Sequence, residues 1–364
     1  MENYSIFLPS YSIGEDVYRD IPRICGPYGK KILAVGGHRA IASVRKQLTE
    51  AVRGSGLEIM DFLWFGGIPS YENVDRLLAD ERVQEADMLF AIGGGKATDT
   101  TKCLAVKAGK PFFTFPTIDS NCAACTSVAI MYNPDGSFRE PFFFERPAAH
   151  TFIQTSVIVN TPDKYLWAGI GDTYAKYFEC TISSRDEDLP HYEALGAAMS
   201  IQCYEPLMKY GRQALEDQRA GRVSGEFEQC VLAVIVTTAI VSTLLTAEHI
   251  IDYNTGFGHA VYYALTAFPR IGEEHLHGEL VAFGILLLLL IDGQEDQFRR
   301  VYGFNRSIKL PVCMSDVGIT DGDLDAVISK AVSMKDIDHN PYVITEDMVR
   351  KAFGQLEAMA AHQS

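Results

Sequence analysis

The apolar run Met88–Ile92, followed at once by Gly93-Gly94-Gly95-Lys96-Ala-Thr-Asp99-Thr-Thr-Lys102, constrains this chain more than any other stretch. A short strand that ends in three glycines and enters a helix is the strand-to-helix turn of an α/β sheet. Glycines there let the backbone approach an anionic group. The N–H groups of the first helical turn, at the positive end of the helix dipole, can then hold it. The pattern is neither GxGxxG nor a phosphate loop closed by Gly-Lys-Ser/Thr. A tight corner is the plain alternative, so the reading depends on the surroundings.

Those surroundings alternate between strand and helix. Lys31–Val35 is an apolar run closed by Gly36-Gly37, with a helical pattern from about Ala40. Leu57–Phe65 is a second strand candidate, closed by Gly66-Gly67, and Phe112–Phe115 precedes Pro116. After the second strand, Ser70 is a candidate N-cap, Glu72 sits in the first turn, and Val74, Leu77 and Leu78 share a face. Such alternation predicts parallel strands joined by crossover helices, a doubly wound α/β sheet. Between Val128 and Val159 the turn signal Asn133-Pro-Asp-Gly136 separates two β-rich runs, which predicts a hairpin. From about Pro162 strand signals nearly vanish. The last helix is set by Thr345 as N-cap, by Glu346 and Asp347 against the dipole, and by Val349, Phe353 and Leu356 on one face. The chain therefore reads as an α/β nucleotide-binding domain over residues 1–161 and an all-helical domain over 162–364.

Composition removes several classes of function. Two domains are the natural expectation for 364 residues. A net charge of −15 disfavours a broad nucleic-acid surface. Val231–Ala247 is uncharged, but Ser and Thr interrupt it and Glu248 and His249 follow; Gly284–Ile291 is shorter still. A spanning helix needs about 20 predominantly apolar residues, so both read as buried helices, and no membrane partner is expected. The N-terminus carries no signal-peptide pattern, and eight scattered cysteines suit a reducing cytoplasm. Cys122 and Cys125 form a CxxC with no second pair to make a zinc ribbon. A small-molecule substrate and a homo-oligomer are the expected partners.

Two further pieces suggest a site. Phe115-Pro-Thr117-Ile-Asp-Ser120-Asn-Cys122 supplies hydroxyls and backbone groups just after a strand; an ordinary polar loop is its bland reading. Asp172 in Ala-Gly-Ile-Gly-Asp, His259 after Phe257-Gly258, and His277 before Gly278-Glu279 all stand at or near helix entries beside glycines. Two imidazoles and one carboxylate suit Zn²⁺ or Fe²⁺ and leave positions open for substrate. The spacing matches no local ligand motif, and a histidine at a helix start is more often a cap. His249 and His275 compete for the role.

In that order, GGGKATDTTK, PTIDSNCAACTSVAIMYNPDGSF, AGIGDTYAKYFE, GHAVYY, HGELVAFG and IDHNPYVITEDMVRKAF resemble the glycerol dehydrogenase and hydroxycarboxylate dehydrogenase branch of the iron-containing alcohol dehydrogenases. The resemblance covers nearly the whole chain. It implies the dehydroquinate synthase-like architecture, with a dinucleotide domain, a helical domain and an active site in the cleft between them. It implies a metal-dependent dehydrogenase that interconverts an alcohol or 2-hydroxy acid and its ketone or 2-oxo acid with NAD or NADP. By its pattern Asp172, His259 and His277 bind the divalent metal, usually zinc in this branch, which acts as a Lewis acid on the substrate oxygen. Gly94, Gly95, Lys96 and Asp99 would lie along the dinucleotide, with Thr117, Ser120, Thr126, Val128 and Tyr132 also facing it.

Three departures from the pattern matter. Glycerol dehydrogenases carry an Asp that contacts the polyol where Cys122 stands; its loss favours an anionic substrate over glycerol. NAD-preferring relatives place an acidic residue after the first strand, where this chain has His38 and Arg39. A basic pair there could accept a 2′-phosphate, or both side chains could face solvent. A second His that follows the first imidazole ligand in relatives is replaced by the stretch Tyr262-Tyr263-Ala264, which leaves Tyr262 or water to move the proton. Two other readings stand beside this one: a glycerol (polyol) dehydrogenase, and a non-catalytic paralogue that binds nucleotide. Relatives that handle phosphorylated substrates need an Arg and Lys cluster that the motifs here do not show.

Overall fold

The computed structural model describes residues 4–246 and 253–363; Ala247, Glu248 and His249, named above, lie outside them. Contacts within the chain divide it into two compact units. One holds the residues up to Tyr165 together with Glu216–Thr243, and the other holds Leu166–Leu215 together with the residues from Leu244 onward. The sequence boundary at 161 lies close to the end of the first of these segments. The return of Glu216–Thr243 to the first unit is a tertiary feature with no signature in local periodicity.

In the first unit β1 (Tyr11–Gly14), β2 (Lys31–Gly36), β3 (Glu58–Trp64), β4 (Met88–Ile92), β5 (Phe112–Phe115) and β8 (His150–Gln154) form one sheet in the order β1-β8-β5-β4-β2-β3. Every pairing in it is parallel. β4 is buried along its whole length, as a central strand covered on both faces must be. Its neighbour β2 shows why both faces are apolar: Leu33 and Val35 pack into one core, Ile32 and Ala34 into the other. Helices α1 (His38–Val52), α2 (Tyr71–Leu78) and α3 (Gly95–Ala108) follow β2, β3 and β4. Ser70 caps α2 as expected, its Oγ accepting the Asn73 N–H at 3.3 Å.

The hairpin is β6 (Val128–Tyr132) against β7 (Phe138–Phe143), antiparallel, and its turn residue Gly136 has φ +87°. One strand of the main sheet carries little sequence signal. β1 is short, partly exposed and serine-containing, so neither length nor alternation marks it. It is fixed from β8, where His150 Nδ1 lies 2.7 Å from Ser10 Oγ and His150 Nε2 lies 2.9 Å from Ser12 Oγ.

The second unit has no strand among the described residues. Its principal helices include α4 (Lys164–Ser183), α5 (Phe257–Thr266), α6 (His277–Ile291) and α7 (Glu346–Gln363). α7 starts as expected: Thr345 Oγ1 accepts the Met348 N–H at 3.3 Å, and Val349, Phe353 and Leu356 are buried. α6 is too short to span a bilayer and is buried from Leu280 to Leu289. The helical run Gly225–Leu245 is long and apolar enough to cross a membrane by length and composition alone, but 61% of its most apolar stretch is buried. All eight cysteines are free thiols.

Candidate active site

Parallel register brings the first group of residues together. Gly36 pairs with Ile92, and Ile92 with Phe115, so the loops after β2, β4 and β5 leave the sheet side by side at its carboxyl edge. Gly93 has φ +136°, a conformation that L side chains rarely adopt. A Cβ on Gly94 would stand 2.4 Å from Ile118 Cδ1, so the loop after β5 packs directly on the glycine turn. Gly94 is also the N-cap of α3 and offers no side chain to its first N–H groups, which leaves those donors for a ligand.

Around this turn Lys96 is exposed, Thr117 and Thr126 are buried, and Ser120, Cys122, Val128 and Tyr132 are half-buried. Asp99 is enclosed instead of facing solvent. Its Oδ2 accepts the Ile130 N–H at 3.2 Å, and its Oδ1 lies 2.8 Å from Lys102 Nζ in an ion pair. Burial raises the Asp99 carboxyl above its usual range, against the pull of Lys102. His38 begins α1, is exposed, and stacks on Trp64 with ring centroids 5.3 Å apart and planes at 11°. No acidic residue lies in the first turn of α1.

Two residues of this unit carry more structure than their sequence context suggests. Lys102 donates to Ala123 O at 2.8 Å, Thr126 Oγ1 at 3.2 Å and Val128 O at 2.5 Å, tying α3 to the Cys122–Cys125 turn and to the hairpin. A lysine three residues after an aspartate on a helix is the available signal for it. Asp119 is fully buried, neither carboxylate oxygen has a hydrogen-bond partner, and burial pushes its carboxyl up to about 7.

The second unit assembles Asp172, His259 and His277, with one potential ligand atom from each within 4.8 Å of the others. His277 Nε2 is 3.1 Å from Asp172 Oδ1, and His259 Nε2 is 3.7 Å from the same oxygen. Glycines adjoining the three residues make the meeting possible. A Cβ on Gly278 would lie 1.9 Å from Ala168 O, and one on Gly171 would lie 2.3 Å from Gly278 O. α4 and α6 thus cross with their backbones touching, beside Asp172 and His277. Gly284, whose Cβ would lie 2.6 Å from Gly258 O, brings α5 and its His259 equally close to α6.

The charges at this cluster are mutually adjusted. Burial pulls Asp172 upward, but His277, His259 and Lys176 outweigh it and leave its carboxyl at about 2. Burial pulls His259 downward, and Glu179 with Asp172 more than reverses this, so its pKa is raised. Lys176 Nζ is anchored by the carbonyl and the side-chain oxygen of Asn254. Asp172 keeps 18% of its side-chain surface open and His277 43%, enough for an entering ligand. Tyr262 packs edge-on against His277 with ring centroids 4.3 Å apart. His275, the nearby competitor, is engaged by Glu279 Oε1 at 2.8 Å. Borderline nitrogen and hard oxygen donors with open approach fit a divalent transition metal.

The sequence model for iron-containing alcohol dehydrogenases matches residues 9–153. The chain is 31% identical over 330 residues to hydroxycarboxylate dehydrogenase A of Escherichia coli (strain K12), covering 89% of each. It is 32% identical over 287 residues to the glycerol dehydrogenase of Thermotoga maritima, covering 76% of this chain and 75% of that one. The crystal structure of glycerol dehydrogenase from Schizosaccharomyces pombe superimposes with a TM-score of 0.85 at 21% identity, covering 98% of this chain and 91% of that chain; at this identity the fold is what is shared.

Proposed function

The chain belongs to the iron-containing alcohol dehydrogenase family, and we propose that it interconverts 2-oxo and 2-hydroxy acids, with NADP(H), in place of NAD(H), as hydride carrier on the strength of His38 and Arg39, and zinc held by Asp172, His259 and His277. At the level of the family it is a metal-dependent, nicotinamide-nucleotide-linked oxidoreductase acting on an alcohol or hydroxy-acid group. The observation that carries the reading is the meeting of two imidazoles and a carboxylate within 4.8 Å. A binding-only paralogue would have no use for an open cluster of that kind.

Bound there, a divalent cation supplies Lewis acidity toward a substrate oxygen, and the nicotinamide supplies or accepts a hydride. The chain's own residues orient the partners. The uncapped N–H groups of the Gly94–Lys96 turn hold the pyrophosphate, and Thr117, Ser120, Thr126, Val128 and Tyr132 line the nucleotide. His38, with Arg39 beside it, meets the 2′-phosphate. Tyr262 takes the proton-moving role of the histidine found in relatives, through its hydroxyl.

Cys122 supports an acid as substrate. A carboxylate at that position would accept hydroxyls of a polyol and repel an anion; a thiol does neither. The name of the Escherichia coli relative points the same way. The test is oxidation of NADPH and NADH by the purified protein, with and without Zn²⁺ or Fe²⁺, across a panel of 2-oxo acids and dihydroxyacetone. Metal-dependent turnover of a 2-oxo acid is the expected result. Turnover of dihydroxyacetone alone replaces this reading with a polyol dehydrogenase, and silence throughout favours a nucleotide-binding paralogue.

A further inference from the structure

Seven residues after Asp172 on the same helix comes Glu179. Seven residues are close to two turns of a helix, so both carboxylates lie on one face of α4. Glu179 is fully buried, and it is turned entirely toward His259. Its Oε2 lies 2.8 Å from His259 Nδ1 and its Oε1 lies 3.0 Å from the same nitrogen, while Oε1 also accepts the His259 backbone N–H at 2.9 Å. Gly256 and Gly258 make room for it: a Cβ on Gly256 would sit 3.1 Å from Glu179 Cβ and Cγ, and one on Gly258 would sit 3.0 Å from Glu179 Oε1.

We infer that Glu179 is the positioning residue of the metal centre, fixing both the rotation of the His259 ring and the nitrogen it presents. The inference rests on the reading of Asp172, His259 and His277 as the metal-holding set. A carboxylate accepts hydrogen bonds and cannot donate one when ionised, so the proton of a neutral His259 ring stays on Nδ1. Nε2, on the side of Asp172, keeps its lone pair for the cation. The backbone contact adds a second constraint: Glu179 also ties down the first turn of α5 from which His259 projects, so one buried group fixes both the ring and the backbone that carries it. A partner that both orients and polarises a ligand imidazole raises its affinity for metal. It touches neither substrate nor cofactor.

The experiment is a Zn²⁺ titration of chelator-stripped protein against a chromophoric competitor, with wild type, Glu179→Leu, Glu179→Gln and His277→Ala compared after thermal melting shows each folded. Glu179→Leu is expected to weaken Zn²⁺ about 10–100-fold, and Glu179→Gln, which keeps an acceptor oxygen of the same shape, to recover most of the loss. Leu with wild-type affinity, or Gln as weak as Leu, overturns the positioning role and leaves the metal site standing. Wild type that binds no more Zn²⁺ than His277→Ala overturns the site itself, and the inference with it. Should Leu fail to fold, the wild type decides alone: ¹⁵N shifts of the Zn²⁺-loaded protein must show His259 bound through Nε2 with Nδ1 protonated. Binding through Nδ1 refutes the inference.

Discussion

Lys102 Nζ lies 2.8 Å from Asp99 Oδ1, one turn away on α3, and the Lys102 side chain is fully enclosed. The ammonium also donates to Ala123 O and Val128 O, so one buried cation joins α3, the turn that bears Cys122, and the hairpin. Removing it strands an enclosed carboxylate. Lys102→Met is expected to cost about 3–5 kcal/mol, and adding Asp99→Asn to recover part of that. Urea unfolding of the single and double variants measures both; a Lys102→Met protein as stable as wild type would show that the pair contributes nothing.

Asp119 makes stability depend on pH in a direction unusual for a carboxyl. Burial holds its folded pKa at about 7, above the unfolded value of 3.8. Between those values the folded state binds the extra proton, so the slope of stability with pH is negative. The contribution is complete below the unfolded pKa and is lost as pH rises through about 7. Asp119→Asn keeps the shape without the charge. It is expected to melt higher than wild type at pH 8 and to differ little below about pH 4, with the gap opening between. Parallel curves for the two proteins across that range would mean that Asp119 is not enclosed as described.

Much of this was readable along the chain, and the unread parts share a cause. β2, β4 and β5 announce themselves because a strand buried on both faces is a continuous apolar run; β3, a half-buried edge strand that carries Glu58 and Asp61, is marked instead by the Gly66-Gly67 that closes it. β1 does not, since an edge strand held by Ser10 and Ser12 against His150 needs no apolar pattern. Asp172, His259 and His277 are individually ambiguous; their meeting depends on helix crossings whose only sign is a glycine beside each of the three. Glu179 and Lys102 carry no mark of their role in the sequence, because burial of a charge cannot be seen until its partners are in place, although Glu179 stands seven residues from Asp172 and Lys102 three from Asp99.

His277 is the ligand candidate whose loss should disturb the protein least. Its side chain is 43% exposed, and it meets Asp172 Oδ1 at 3.1 Å and the rings of Tyr262 and His259. His277→Ala is expected to retain the fold, with stability within roughly 1 kcal/mol of wild type, while losing bound metal on dialysis and all turnover. Elemental analysis beside a melting curve separates the two effects. An active variant that holds no metal would remove His277 from the site.

His38 sets the nucleotide preference if the stacked ring on Trp64 faces the adenosine ribose. An aspartate at that position would repel a 2′-phosphate and accept ribose hydroxyls. His38→Asp is therefore expected to move the ratio of kcat/KM for NADPH over NADH by about tenfold or more toward NADH, some 1.4 kcal/mol. The change should appear in KM for the nucleotide and spare kcat. An unchanged ratio would mean that His38 points to solvent in the working enzyme.

Cys122 tests substrate choice from the loop that packs against the glycine turn. It is half-buried at the start of the short turn Ala123–Cys125, where the backbone is held by the Cys125 N–H to Cys122 O bond at 2.9 Å. That turn is also anchored by Lys102 through Ala123 O, so a substitution at 122 changes chemistry more than backbone. Cys122→Asp introduces a negative charge and an acceptor pair. Against a 2-oxo acid the charge repels the substrate carboxylate; against dihydroxyacetone the same oxygens can take its hydroxyls. The expected result is a fall of about tenfold or more in kcat/KM for the acid and a gain for the triose. Cys122→Ser, which adds neither charge nor bulk, should leave selectivity near wild type. If Asp and Ser behave alike, position 122 does not touch substrate, and any selectivity between acid and polyol is set by other residues.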